Sequence, residues 1–394
     1  MRLLIISAHL FTRRVSSGGD RSMLELVRAA IKDGLEVTMV TVGGTSKDFS
    51  NAGATILEVY PSGIDFATRY PVALPALLIL ARILPTVYAV KELEADVIYT
   101  PGDFLCNIIP AQILAKKKGI PWFTDVHHII RPHMRPQGGS WVLNMVAWQA
   151  QQLSLRIIRN GVTTVLSHNL DVYRYFRERD MEENRLSLIG NSLDIDTIQS
   201  TMPIKTEFDA CFIGRLNLTK GFLDLPEIWS QVVQSHPDAR LAIIGTGGEA
   251  LSPLKSQFLK DAQSRGVQSN ISLLGYLDDA TKYGILKSTR LLISPSYEEG
   301  WGMVVGESLA CGIPVAAYEL PVYEEIFPGA VETGPVKDKA GLAKAVLRLM
   351  DDQNLAKTRV EHGQNMVLQY SAHRVTADII RLMKVAVRSG LRMR

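Results

Sequence analysis

The sequence predicts an α/β protein built from two tandem doubly wound, Rossmann-like domains that face a central cleft. Three observations predict it. Short apolar runs recur along the chain, each followed by a longer segment with apolar residues at helical spacing. The runs do not alternate strictly between apolar and polar residues, which fits strands covered on both faces, as in parallel sheets. The length of 394 residues suits two domains rather than one.

In the first half the strand-like runs are Arg2–Ser7, Glu36–Val42, Thr55–Val59, Asp96–Thr100, Pro121–His127, Gly161–Ser167 and Leu186–Gly190. In the second half they are Asp209–Gly214, Arg240–Gly245, Ile271–Gly275, Leu291–Pro295, Ile313–Ala317 and Ala330–Thr333. Helical patterns lie between them, as in Met23, Leu24, Val27, Ala30 and Ile31. Residues 141–160, WVLNMVAWQAQQLSLRIIRN, read as a helix with aromatic, aliphatic and basic faces. The stretch Asp194 to Phe208 carries a proline and no apolar run of strand length, so the linker is expected there. The domains are then 1–195 and 206–372, with a basic helical tail, 373–394, packing back on the first. Ligands of such sheets bind at the carboxyl ends of the strands, which makes a cleft between two facing domains the natural active site.

Composition narrows the class. An apolar fraction of 46% and a charged fraction of 21% describe a folded globular protein. A net charge of +3 gives no support for nucleic acid as a partner. The amino-terminal apolar run reads as a first strand rather than a signal peptide. The longest apolar region, Tyr70 to Val90, contains Pro71, Pro75, Pro85 and Arg82. It falls short of a clean membrane span and reads as a surface or buried helix that can touch lipid. Cys106, Cys211 and Cys311 are too widely spaced for a disulfide framework or a zinc site, so a cytoplasmic location is expected.

The chemistry concentrates in SPSYEEGWGMVVGESLACGIPVAAY, residues 294–318. A strand is expected to end near Pro295 and a helix to start near Met303. Between them Gly300 and Gly302, with Gly306 just inside the helix, let the backbone approach a ligand closely. A glycine turn that enters a helix offers unpaired N–H groups and a positive dipole end, which suit a diphosphate. Glu299 and Glu307 instead suit hydroxyl groups, the ribose diol for Glu307 and another sugar for Glu299. An exposed acidic loop with a glutamate at a helix start accounts for the same residue types. In DACFIGRLNLTKGFLDL, Arg215 and Lys220 follow a strand that ends in Gly214. They can neutralise a diphosphate leaving group, or be ordinary surface cations. LAIIGTGGEA, with Gly245, Gly247 and Gly248, matches only the start of a dinucleotide fingerprint. LLGYLDD, residues 273–279, ends another strand at the same sheet edge.

Taken in order, the GR…KG pair, the strand followed by G-x-G, LLGYL and the stretch with Glu299 and Glu307 eight apart resemble the retaining glycosyltransferases of the GT-B fold, family 4 type. The resemblance covers essentially the whole chain and is most specific over residues 209–320. It implies that Arg215 and Lys220 bind the donor diphosphate and stabilise it as it leaves. It implies that Glu307 binds the donor ribose and Glu299 the transferred sugar, with Gly300, Trp301, Gly302, Met303, Val304 and Val305 lying against sugar and phosphates. Gly245 belongs to the same donor side, and Tyr276 would sit near the nucleobase. Gly18 and Gly19 resemble the family's glycine-rich first loop, and His127 the histidine that touches the donor sugar. His128 follows where an acidic residue is common, so the choice between His127 and His128 stays open. The catalytic set implied is His127, Arg215, Lys220 and Glu299.

The resemblance also implies transfer of a sugar from a UDP- or GDP-sugar to a hydroxyl acceptor, lipid-linked or a growing glycan, with no cofactor and no bound metal. Asp125, His127, His128 and His133 are metal-capable types, but their loop spacing does not put three ligands on one face. Rival readings are a nucleotide-sugar 2-epimerase and a non-catalytic nucleotide-sugar-binding protein of the same fold. A NAD-dependent oxidoreductase is disfavoured because no full G-x-G-x-x-G follows the first strand. Peripheral contact with the inner face of a membrane is compatible with residues 70–90 and 141–160.

Overall fold

The computed structural model describes residues 1–9, 18–42, 46–60, 80–131, 141–247 and 251–390. They form two compact units, Met1–Ser192 with Ala372–Arg394, and Leu193–Ser371. All thirteen strand-like runs of the sequence are strands, with ends shifted by at most three residues.

The first unit runs β1 (Arg2–Ser7), α1 (Gly18–Lys32), β2 (Glu36–Val42), α2 (Ser46–Asn51), β3 (Thr55–Val59), α3 (Ile83–Val90), β4 (Val97–Thr100), α4 (Leu105–Lys118), β5 (Trp122–Val126), α5 (Trp141–Gly161), β6 (Thr164–Ser167), α6 (Leu170–Arg177) and β7 (Leu186–Leu188). Its sheet has the order β3-β2-β1-β4-β5-β6-β7, with every neighbour parallel. The strand order reverses direction between β1 and β4, the switch point of a doubly wound sheet.

The second unit runs α7 (Ile195–Ser200), β8 (Ala210–Ile213), α8 (Leu225–Ser235), β9 (Leu241–Ile244), α9 (Leu251–Ser264), β10 (Ile271–Gly275), α10 (Asp279–Leu286), β11 (Leu291–Ser294), α11 (Met303–Ala310), β12 (Val315–Tyr318), α12 (Pro321–Ile326), β13 (Val331–Gly334), α13 (Lys339–Asp351) and α14 (Gln353–Val367). Its sheet is also parallel, in the order β10-β9-β8-β11-β12-β13, with the switch point between β8 and β11. The last helix, α15 (Ala372–Arg388), belongs to the first unit. It puts Val375, Ile379, Ile380, Met383 and Ala386 into the same core as Leu3, Val27 and Val40.

The stretch expected as a linker, 194–208, is packed structure of the second unit. Asp194 caps α7 by accepting the Thr197 N–H at 3.0 Å. Ile195 and Ile198 are buried, and the Ile204 N–H donates to the Gly284 carbonyl at 2.9 Å. The chain passes between units at Ser192–Leu193 and again at Ser371–Ala372. At these two points Leu193 and Ser371 form a parallel bridge, and the Leu193 N–H donates to Tyr370 O at 2.7 Å.

Of the apolar region Tyr70 to Val90, residues 70–79 lie outside the described residues, and α3 follows as a helix with Arg82 buried before it. Among the described residues no helix is long and apolar enough to cross a membrane. Cys106, Cys211 and Cys311 are free thiols.

One glycine ties two loops of the second unit together. Gly221 has φ +66°, and a Cβ there would lie 1.9 Å from the Pro295 carbonyl oxygen. Its bare backbone lets the loop after β8 pack against the end of β11, where the Tyr297 N–H donates to Thr219 O at 2.8 Å. Both the left-handed backbone and the contact exclude a side chain. The Gly221→Ala variant is therefore expected to lose about 2 kcal/mol or more of stability in urea denaturation.

Candidate active site

The switch point of the second sheet brings together the two stretches that the sequence analysis singled out. β8 leads into Gly214 and Arg215, its hydrogen-bonded neighbour β11 leads into Pro295 and Glu299, and the register is Leu291↔Ala210. Arg215 is exposed and makes no ion pair among the described residues. Lys220 reaches across, with Nζ 2.6 Å from Glu299 Oε1. The same oxygen accepts the Ser296 hydroxyl at 2.8 Å. Asn217 Oδ1 accepts the Lys220 backbone N–H at 3.0 Å and fixes the turn that aims the lysine.

From Glu299 the chain turns into α11. Gly302 caps it with φ +92°, and a Cβ there would meet the Tyr323 ring at 2.9 Å, so glycine is required. The first turn of α11, which starts four residues after Glu299, leaves N–H groups without an intrahelical partner. Trp301 does not face this edge. It is buried, with its ring edge-on to Phe327 and Tyr370 at 5.0 Å each, so residue 301 offers a ligand only its backbone. Val305 is buried as well, whereas Met303 and Val304 keep part of their surface.

Glu307, one turn into α11, is buried and held by two partners that sequence reasoning missed. Lys282 Nζ lies 3.1 and 3.3 Å from its two oxygens, and the Tyr283 hydroxyl donates to Oε1 at 2.8 Å. Lys282 also lies 3.1 Å from Asp279. The available signal was a lysine among buried residues of α10, which implies a carboxylate nearby without naming it. Gly245 follows β9, and its N–H donates to Gly275 O at 2.8 Å. Tyr276, just beyond, is 59% exposed.

In the first unit Gly18 and Gly19 begin α1, and the loop before them, 10–17, lies outside the described residues. His127 and His128 have different surroundings. His128 is exposed, while the His127 ring stacks on His168 at 4.6 Å with 10° between planes. The His127 carbonyl accepts Asn169 Nδ2 at 2.9 Å. His168, which the sequence did not flag, lies beyond β6, next to Asp125 of β5. His9, after β1, stacks on Phe104 at 4.4 Å and meets Asn107 at 2.9 Å.

Asp125, His127 and His168 have ligand atoms within 4.8 Å of one another. The stacking of the two rings argues against an ion bonded to both. A zinc ion bonds imidazole nitrogen at roughly 2 Å and close to the ring plane. Two nearly parallel stacked rings point their lone pairs side by side, so an ion bonded to both would lie far out of at least one plane. His133 is outside the described residues.

Burial pulls the His9 imidazole down to about 4. Burial, followed by the charge of His168, pulls His127 down to about 3. For His168 burial acts downward too, but the charge and hydrogen bonding of Asp125 and the Gly190 carbonyl outweigh it, and the net shift is upward.

Two stability predictions follow from this geometry. In Lys282→Met the ammonium is removed from a buried carboxylate, and a loss of about 3 kcal/mol is expected in chemical denaturation. His9 and His127 stay neutral in the fold but take up a proton in the unfolded chain below its ordinary value near 6.5. Stability is thus unaffected above that value and falls as pH drops from there towards their folded values. Both rings keep partial access to solvent, and a loss of about 1 kcal/mol each by about pH 5 is expected. Urea midpoints that stay level from pH 7 to 5 would contradict this.

Comparison with known proteins agrees with the geometry. Residues 17–192 match the glycosyl transferase 4-like domain, and residues 194–366 match the glycosyl transferases group 1. A phosphatidyl-myo-inositol mannosyltransferase of Mycobacterium leprae is 28% identical over 211 residues, 51% of this chain and 54% of that protein. A poly(glycerol-phosphate) alpha-glucosyltransferase of Bacillus subtilis is 26% identical over 216 residues, 52% of this chain and 31% of that protein. The chain spans about half the length of the first of these relatives, and less of the second. Sucrose-phosphate synthase of Thermosynechococcus elongatus superposes with TM-score 0.79 at 15% identity, over 98% of this chain and 99% of that one. Anabaena HepE in complex with UDP superposes with TM-score 0.75 at 14% identity, over 98% and 100%. With both halves matched in order and the fold shared over nearly its whole length, the chain belongs to the group 1 glycosyl transferases of the family 4 type, with the GT-B fold.

Proposed function

We propose that the protein is a retaining glycosyltransferase that moves a sugar from a UDP- or GDP-sugar to a hydroxyl acceptor, lipid-linked or on a growing glycan. The observation that carries the reading is the Lys220–Glu299 contact of 2.6 Å at the switch point, beside Arg215 and the glycine turn into α11. Before donor arrives the lysine and the glutamate neutralise each other. An incoming diphosphate is the stronger partner for Lys220 and Arg215, and it frees Glu299 to accept hydrogen bonds from the sugar. Glu307 then takes the ribose diol and the α11 N-terminus the phosphates.

In the transfer step the bond from the anomeric carbon to the phosphate oxygen breaks, and the acceptor oxygen bonds to the face that the phosphate vacates. The acceptor proton passes to the departing phosphate oxygen, so no separate protein base is required. Arg215, Lys220 and the helix dipole stabilise the anion that leaves. Glu299 attends the positive charge that builds on the sugar ring. The reaction so written uses no cofactor and no resident metal, and the nucleotide sugar is a co-substrate.

A membrane-side acceptor has its own support. Leu80, Leu84 and Tyr88 recur every four residues at 51%, 78% and 72% exposure, and Lys91 Nζ lies 4.3 Å from the Tyr88 ring centre. Lys116 and Lys117 are exposed on the neighbouring α4. An apolar ridge with flanking lysines suits a peripheral contact with anionic lipid on the inner face of a membrane. The relatives named for mannosyl transfer to phosphatidyl-myo-inositol point to the same kind of acceptor.

Calorimetry with UDP, GDP, ADP and their sugar conjugates, with and without EDTA, is the first test. Saturable binding of one nucleotide that EDTA leaves unchanged is expected, and Arg215→Ala or Glu307→Ala should weaken binding or transfer at least about tenfold while the fold persists. Wild-type activity in both variants overturns the reading. In a flotation assay with anionic vesicles, Leu84→Asp with Tyr88→Asp should abolish co-migration, and unchanged flotation removes the membrane proposal.

A further inference from the structure

Four neighbouring strands of the first sheet send polar groups to one spot at their carboxyl ends. β4 supplies Tyr99, β5 Asp125 with His127 just beyond it, β6 His168, and β7 is followed by Gly190. The Tyr99 hydroxyl donates to Asp125 Oδ2 at 2.6 Å. Asp125 Oδ1 is buried and accepts no hydrogen bond among the described residues. His168 Nδ1 lies 2.6 Å from the Gly190 carbonyl, which only accepts, so that nitrogen carries a proton. Its Nε2 lies 3.3 Å from Asp125 Oδ2, within ion-pair range but outside hydrogen-bond geometry. A neutral ring would turn its Nε2 lone pair towards a carboxylate oxygen, two acceptors face to face in a buried place. A proton on both nitrogens removes that repulsion and answers the carboxylate's charge. The His127 ring then lies flat on this imidazolium at 4.6 Å.

We propose that Asp125 and His168 are positioning residues, a buried carboxylate–imidazolium pair that seats the His127 ring on its face and keeps a second proton off it. The titratable groups around His127 are His168, Asp125, His128 and His9, and three of the four are histidines that add no negative charge. Burial is the largest cause of the low value of His127, near 3; the charge of His168 adds to it, and that of Asp125 acts the other way. The consequence rests on the transferase reading. An uncharged imidazole can exchange hydrogen bonds with a sugar hydroxyl, whereas an imidazolium would oppose the positive charge that develops on the sugar in transfer.

The test is NMR of the full chain labelled with 13C-histidine, with His127 assigned through His127→Gln. In the wild type His168 should be protonated at pH 7, and His127 should show no titration between pH 8 and 5. In His168→Gln the His127 midpoint should rise by about one unit or more. In Asp125→Asn, His168 should lose its proton by pH 7. In transfer assays both variants should lower kcat about tenfold with donor KM little changed, and wild-type kcat should fall at alkaline pH as His168 loses its proton, a fall that His168→Gln should lack. A neutral His168 in the wild type at pH 7, or an unmoved His127 in His168→Gln, overturns the proposal. The wild-type spectra decide it even where a variant fails to fold. If the titrations appear as expected but no nucleotide sugar supports transfer, the pairing stands and the functional reading falls.

Discussion

A strand in the middle of a parallel sheet gives all its backbone polar groups to two neighbours and both its faces to helices. Everything else in this protein follows from that constraint. It requires the apolar runs, since each strand is covered twice, and it requires a helix between consecutive strands, since parallel neighbours cannot be joined by a tight turn. It also sends the loop after every strand to the same edge. Residues far apart in sequence therefore meet there without any special device. Lys220 and Glu299 are 79 residues apart, and Tyr99 and Asp125 are 26 apart, yet each pair is in hydrogen-bond contact.

Such an edge collects charge next to a dry core, and the structure handles it by pairing. Glu307 lies against Lys282 and Tyr283. Asp125 lies against His168 and Tyr99. Asp224, buried before α8, accepts the hydroxyls of Tyr297 and Tyr318 at 2.7 Å each and so anchors the loop that carries Glu299. A charge removed from water costs several kcal/mol unless an opposite charge or several donors meet it. These pairs therefore do two things at once. They permit ionised groups near the core, and they fix the geometry of the groups that a ligand would meet.

The fold was legible because its signals are local. An apolar run bounded by glycine or a polar turn identifies a buried strand whatever lies around it, and the glycine turn before Met303 marks the start of α11 in the residues themselves. The site was legible only where its members share a motif. Glu299 and Glu307 lie on one short stretch, as do Arg215 and Lys220. Lys282, Tyr283 and His168 were missed because their importance arises from what packs against them, and no spacing along the chain encodes it. The 194–208 stretch was misread as a linker for a related reason. Its helix is one and a half turns long, too short for periodicity to show, and it is held by the Asp194 cap and by Ile195 and Ile198 in the core.

The return of α15 to the first unit bears on how the protein comes into being. The second unit is one continuous stretch, 193–371, and can close as soon as it has been made. The first unit cannot, because the apolar side of α1 waits for Val375, Ile379 and Met383. Ribosomes add roughly 5–20 residues per second, so that surface stays uncovered for on the order of ten seconds or more. For most of that interval the second unit is itself still being made, so the nascent chain offers chaperones an incomplete amino-terminal half first, and the two units become able to close within about a dozen residues of each other.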